Sequence, residues 1–198
     1  VGDLIIPGFS SQGCGRCIYC KFYMKPYLCV SSKGDPFEKT KARGIVRPTV
    51  FDVGGYCDYR YVFPNGWVYK VPGDLPPEVA VLTEHFSTAL HVGDYAGKEG
   101  LTVVVQGSGP IGLLSVMAVK LSGAATTIVV GAPEGRLRLC KEFGAGYAIS
   151  IQEVPEAEDR IRSVKKLTRA GAGADVVVEA AGTPEAFTEG PAPRVVAS

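Results

Sequence analysis

The sequence predicts an α/β protein in which a parallel sheet covered by helices follows a smaller, irregular β region. Three observations carry that expectation. Strand-like and helix-like segments alternate from Leu101 to Ala180, and a glycine-rich turn joins the first of those strands to the first helix. Before about residue 72 the chain instead offers short strand-like pieces, broken by prolines and wrapped around a cluster of cysteines. The expected division is therefore 1–72 and 73–198.

In the first region the strand-like pieces are Leu4–Ile6, Gly44–Arg47, Tyr56–Val62 and Trp67–Val71, interrupted by Pro7, Pro48, Pro64 and Pro72. Four of the six cysteines, Cys14, Cys17, Cys20 and Cys29, fall within PGFSSQGCGRCIYCKFYMKPYLCV. Neighbours three apart in a tight turn can aim several sulfurs at one tetrahedral ion, whereas disulfides at that spacing are awkward. The loop is poor in aliphatic residues, so a zinc worth roughly 10–16 kcal/mol of apparent binding energy would organise it. Four thiolates close the coordination shell, which makes such a zinc structural. The alternative is a set of free thiols or a redox pair. Cys57 and Cys140 read as small buried hydrophobes.

Pro76 to about Gly97 reads as one helix, with Pro77 and Glu78 in its first turn and Val79, Leu82, Phe86 and Leu90 at helical spacing. LTVVVQ is then a buried strand, LLSVMAVKLSG a helix and TTIVV a second strand. Arg136–Phe143 is helical, Tyr147–Ser150 is a strand, and Pro155 to about Arg169 is amphipathic with Ile161, Val164 and Leu167 inward. The basic residues Arg160, Lys165, Lys166 and Arg169 read as its solvated face. DVVVEA makes a fourth strand, and Thr183-Pro184 is a cap followed by a first-turn proline.

Gly107-Ser108-Gly109-Pro110-Ile111-Gly112 is a GxGxxG turn with a strand before it and a helix after it. Gly107 permits a tight turn, Gly109 lets backbone approach a pyrophosphate, and Gly112 lets helix pack on strand. The helix N-terminus offers unpaired N–H groups and partial positive charge to phosphates. Dinucleotide binding is the expectation; a structural turn is the alternative. The acidic residue that usually binds the adenosine ribose is missing, because Gly131 stands at the end of the second strand. Losing that charge-assisted hydrogen bond costs about 1.5–3 kcal/mol of NAD binding. Arg136 is the nearby cation for a 2′-phosphate, or else an exposed helix residue, so NADP should be accepted at least as well as NAD.

Composition removes several classes. The 46% hydrophobic and 21% charged content describes a folded globular chain, and a net charge of +1 leaves no nucleic-acid footprint. No apolar run approaches the roughly 18 residues of a membrane span. VGDLIIPGF has neither a basic stretch nor a cleavage-like site, so a cytoplasmic location is expected. Two histidines exclude a three-histidine metal site.

CGRCIYC…PYLC, GGYCDYRYV, YKVPGDLPPE, TEHFSTALHV, VVVQGSGPIGLLSVMAVKLSG, RLRLCKEFGA and DVVVEAAGTPEAF occur in this order. Together they resemble the zinc-dependent, medium-chain alcohol dehydrogenase family, with its polyol and sugar dehydrogenase relatives. The resemblance implies a Rossmann-type parallel sheet, here truncated, preceded by part of a GroES-like catalytic domain. It implies that Cys14, Cys17, Cys20 and Cys29 hold a structural zinc, although eight residues rather than the usual seven separate Cys20 from Cys29. It places Glu84 at a catalytic-zinc ligand position and Thr88 beside the nicotinamide, while the residues alone also allow a surface or capping Glu84. His85 and His91 read as helix-packing residues. The family's upstream cysteine and Gly-His-Glu segment do not precede Cys14. TEGPAP is too short for the usual crossover helix before RVVAS, so an internal, inactive fragment is expected. The implied parent reaction is hydride transfer between NAD(P) and a polyol, sugar or secondary alcohol, in a homo-oligomer without nucleic-acid or membrane partners. The rival readings are a zinc-free quinone reductase, a zinc-binding module without enzymatic function, and a Rossmann-like methyltransferase.

Overall fold

A computed structural model describes residues 2–7, 16–23, 25, 28, 58–59, 68–189 and 195–197, and the chain divides into two compact units, Val1–Val81 and Leu82–Ser198. In the first unit β1 (Ile5–Pro7), α1 (Ile18–Lys21), β2 (Val68–Lys70) and α2 (Pro77–Ala80) are described. β1 and β2 pair antiparallel, Ile5 opposite Lys70 and Pro7 opposite Val68, and the Lys70 ammonium lies 2.7 Å from the Asp3 carboxylate. The expected strands at Gly44–Arg47 and Tyr56–Val62 lie largely or wholly outside the described residues, as do Cys14, Cys29 and Cys57.

The single helix expected from Pro76 to Gly97 is two helices. Pro77 occupies the first position of α2 and Glu78 its first turn, as read from the sequence. The second unit then opens with α3 (Thr83–Ala96). Val81 and Leu82 keep right-handed helical dihedrals, so the break lies in the hydrogen-bond ladder and not in the direction of chain winding.

The remaining elements alternate: β3 (Thr102–Gln106), α4 (Pro110–Leu121), β4 (Thr126–Gly131), α5 (Glu134–Glu142), β5 (Tyr147–Ser150), α6 (Ala157–Lys166), β6 (Val176–Glu179), α7 (Pro184–Glu189) and β7 (Val195–Ala197). The five strands are parallel, in the order β5-β4-β3-β6-β7. Counted from β3 this is 3-2-1-4-5, the doubly wound order, which reverses between β3 and β6. The sheet therefore has a fifth strand where four had been expected. The segment before RVVAS does carry a crossover helix, because six residues of α7 suffice when Thr183 caps it. Thr183 Oγ1 accepts a hydrogen bond from the Ala186 N–H at 3.3 Å.

The near-continuous valine runs of β3, β4 and β6 follow from burial on both faces. On one face Val103, Val105, Val129, Val176 and Val178 pack with Val116 and Val119 of α4 and with Leu137 and Cys140 of α5. On the other, Val104, Ile128, Val130 and Val177 pack with Val164 and Leu167 at α6. The residues read at helical spacing are not those that α3 buries. Ala89, Val92, Gly93 and Ala96 are its buried residues, whereas Leu82 and Leu90 are exposed and Phe86 is half-buried. The small residues win because α4 comes close: a Cβ on Gly93 would sit 2.9 Å from Ser122 Oγ and 3.1 Å from Ala118 O.

Candidate dinucleotide-binding cleft

The carboxyl ends of β3, β4 and β6 meet at the point where strand order reverses, and a cleft of about 540 Å³ opens there. Ligands of open α/β sheets bind at this location, and the volume falls in the usual range of ligand pockets. Gly107, Ser108, Gly109, Gly131 and Arg136, separated by up to 29 positions in the chain, all line it. Pro110 opens α4 and Ile111 and Gly112 complete its first turn, with Gly109 as the N-cap.

The three glycines have separable reasons. Gly107 has φ +108°, and a Cβ there would stand 2.6 Å from the Ala180 carbonyl oxygen. Gly112 packs against the same turn, since any Cβ would collide with Gly107 O. Gly109 has ordinary extended dihedrals and open space within 4 Å of a would-be Cβ. Its smallness therefore serves the cleft and not the packing. The first bonded amide of the helix is Leu113 N–H to Gly109 O at 2.9 Å. Ile111 and Gly112 precede it, so their N–H groups have no i−4 carbonyl within the helix.

Gly131 ends β4, directly beneath the glycine turn. Gly107 N–H donates to Val130 O at 2.8 Å, and Ser108 Oγ, 3% exposed as a residue, donates to Ala132 O at 2.7 Å. Arg136, on the first turn of α5, is exposed and makes no ion pair among the described residues. Glu134 begins α5. Gln106 at the end of β3 is buried with its Oε1 lacking a hydrogen-bond partner among the described residues, an acceptor at the cleft that a ligand donor could use.

Arg160 and Glu189 also line the cleft and were not foreseen. Arg160 had been placed on a solvated face. Its side chain is 12% exposed, and its Nε and Nη2 donate to the two Glu189 carboxylate oxygens at 2.7 and 2.5 Å. Nη1 donates to the carbonyls of Val154, at 2.8 Å, and Pro155. These contacts raise the guanidinium pKa further, chiefly through the Glu189 hydrogen bond. Arg160 shares a stripe with Val164 and Leu167 at i, i+4 and i+7, the signal that could have placed it inward. At the end of β6, the Glu179 carboxylate accepts the N–H groups of Ala181 and Gly182 at 2.8 and 2.7 Å and so shapes the turn that follows.

Glu84 and Thr88 stand one turn apart on α3, outside the lining of this cleft. The exposed Glu84 carboxylate lies 3.0 Å from His85 Nδ1, and Thr88 Oγ1 reaches back to Glu84 O at 3.5 Å. His91 is exposed and sits edge-on to Tyr95, which corrects its expected packing role. Among the described residues no three His, Cys, Asp or Glu side chains converge as a metal site. Cys17 Sγ and Cys20 Sγ do approach each other, at 3.4 Å. Two thiolates about 2.3 Å from one tetrahedral zinc would stand slightly farther apart, so this pair fits two ligands of one ion.

Comparison with known proteins agrees with this fold. Residues 110–192 match the family model described as zinc-binding dehydrogenase. L-threonine 3-dehydrogenase of Bacillus subtilis is 34% identical over 178 residues, and that of Pyrococcus furiosus 35% over 180; each match covers 89% of this chain and 45% of the relative. The chain thus spans about half the length of the curated relatives it matches. Among solved structures, an alcohol dehydrogenase from Thermotoga maritima superposes with a TM-score of 0.71 at 29% identity, over 95% of this chain and 50% of that one. A protein described as a zinc-binding dehydrogenase from Sinorhizobium meliloti, solved bound to NADP, gives 0.66 at 29% identity, over 94% and 49%.

Proposed function

From the match of residues 110–192 to the zinc-binding dehydrogenase model and the likeness to L-threonine 3-dehydrogenases, we propose that the chain forms the cofactor-binding part of an oxidoreductase that transfers hydride between an alcohol and NADP or NAD. The observation that carries this reading is the cleft itself. It joins a glycine turn with room above Gly109 to the N-terminus of a 12-residue helix, at the switch point of a doubly wound sheet. A dinucleotide fits what is present. The first-turn amides of α4 would hold its pyrophosphate, and Gly131 and Arg136 would face its adenosine ribose. When bound, the nicotinamide supplies the hydride acceptor or donor.

The chain's own residues bind and orient. The positive end of α4 neutralises phosphate charge, Arg136 meets a 2′-phosphate, and the Arg160–Glu189 pair braces the outer wall of the cleft. The four-cysteine lobe is proposed as a structural zinc site held by Cys14, Cys17, Cys20 and Cys29; the approach of Cys17 and Cys20 supports it. Glu84 and Thr88 remain the proposed metal and nicotinamide contacts by resemblance. Around Glu84 the described residues provide only His85 as a further donor, which is not a closed set, so no catalytic step is assigned to a metal there. The proposed substrates are polyols, sugars or secondary alcohols, a class that includes L-threonine, named in the relatives' activity.

Titration of the purified chain with NADP and NAD by calorimetry, or with NADPH and NADH by nicotinamide fluorescence, tests the reading. Saturable one-to-one binding of NADP, at least as tight as that of NAD, is expected. No saturable binding of either dinucleotide up to millimolar concentration would overturn it.

A further inference from the structure

We propose that Ser108 is a specificity-determining residue of the cofactor cleft: it fills the space that a side chain at position 131 would need, and so excludes the ribose-binding carboxylate. The proposal rests on the dinucleotide reading above and deepens it.

Sequence reasoning finds an acid missing at Gly131; the structure finds its place taken. A Cβ built on Gly131 would lie 2.8 Å from Ser108 Oγ, 3.0 Å from Ser108 Cβ and 3.0 Å from Ser108 N. Real side chains do not tolerate the first of these distances, and the other two are tight. Rotating the Ser108 hydroxyl away would clear the first contact only. It would also break the 2.7 Å bond from Ser108 Oγ to Ala132 O, in a residue that is almost wholly buried.

Neither partner can retreat easily. Gly131 is held in register with Ser150, and its carbonyl accepts the Ile151 N–H at 3.0 Å. The turn carrying Ser108 is tied to β4 by Gly107 N–H to Val130 O at 2.8 Å, and Gly107 is itself closed in by Ala180. Positions 108 and 131 are therefore coupled. With serine at 108 the end of β4 must be glycine, and the adenosine ribose meets no carboxylate there. Arg136, lining the same cleft and free of an ion pair among the described residues, is then a cation available to a ligand, and it favours a 2′-phosphate. Replacing Ser108 by glycine removes the two side-chain contacts and leaves only the backbone nitrogen at 3.0 Å.

Five proteins test the coupling: the unmodified chain, Gly131→Asp, Ser108→Gly, the double variant Ser108→Gly/Gly131→Asp, and Ser108→Gly/Gly131→Asn. Melting temperature without nucleotide reads the steric part. Gly131→Asp alone should lower it more than Ser108→Gly does, and the double variant should regain much of that loss. Dissociation constants for NADP and NAD read the specificity part. The Asp double variant should shift the preference toward NAD by tenfold or more, while Gly131→Asp alone shifts it less. The Asn double variant, equal in bulk but uncharged, should not gain that preference. If Gly131→Asp alone is as stable as the unmodified chain and delivers the whole shift, Ser108 is no gate and the proposal fails. If the unmodified chain binds neither dinucleotide, the cofactor reading fails instead, whereas the nucleotide-free stability cycle still tests the contact on its own.

Discussion

Gly107 and Gly109 are two positions apart and answer to different constraints, and substituting each by alanine separates folding from binding. At Gly107, alanine must adopt φ +108° and place its Cβ against the Ala180 carbonyl. Positive φ alone costs about 1–3 kcal/mol, so Gly107→Ala is expected to destabilise by at least about 2 kcal/mol in urea denaturation. At Gly109 the dihedrals suit any residue and the space is open, so Gly109→Ala should cost about 1 kcal/mol or less as a change of N-cap. Its effect should appear in cofactor titrations, as dinucleotide binding weakened about tenfold, or about 1.4 kcal/mol, by the methyl in the pyrophosphate's path. Cys140 illustrates burial at the same scale. Its side chain is fully buried among valines and Leu137, and burial pushes the thiol pKa up to about 11. The unfolded thiol ionises near about 8.5, so this contribution to stability is intact below that pH and is lost as pH rises through about 11. Across that window stability should fall by up to about 1.4 kcal/mol per pH unit from this group. Cys140→Ala, compared by urea melts at a series of pH values, should show a correspondingly shallower slope.

Helix α6 shows how a charged side chain can be structural. Arg160 joins the start of α6 to the end of α7 and to the carbonyls of Val154 and Pro155, with both side chains of the ion pair at least 88% buried. Removing one partner strands the other charge away from water. Arg160→Met is expected to cost about 3–5 kcal/mol, and adding Glu189→Leu should recover most of that loss. Equal stability of the single and double variants in chemical denaturation would show that the pair is solvated. The sequence contained a clue to this burial in the stripe Arg160, Val164 and Leu167. Charge composition argued the other way, and only the position of α7 provides the compensating carboxylate. Helix α3 makes the converse point. Leu82 and Leu90, read at helical spacing, are exposed, and the approach of α4 demanded Ala89, Gly93 and Ala96 on the buried face. Hydrophobic periodicity reports which stripe is apolar; the distance to the neighbouring helix decides which stripe is narrow enough.

At the scale of the molecule, two units with different sources of order should respond differently to one treatment. The second unit has a valine-rich sheet with apolar clusters on both faces. The first carries the cysteine lobe in a turn-rich, aliphatic-poor sequence. Purified protein should hold about one thiolate-bound zinc per chain, and cobalt substitution should give charge-transfer absorption that Cys17→Ser abolishes. Stripping the metal with a chelator should increase proteolysis within 1–81 and leave the dissociation constant for NADP unchanged. Loss of nucleotide binding on zinc removal would show that the two units are not independent. The alternating βα pattern, the boundaries of β5, the first-turn Pro77 and the cap at Thr183 were legible in the sequence, because they depend on local periodicity and on residues with a narrow choice of backbone angles. The GxGxxG turn was legible too, since the positive φ of Gly107 and the closeness of Gly112 to Gly107 O are constraints set within a few residues. The Arg160–Glu189 pair, the fifth strand reached through six residues of helix, and the contact of Ser108 with Gly131 were decided by tertiary structure. Each joins segments 18 or more positions apart, and no local propensity records how closely two distant backbones will pass.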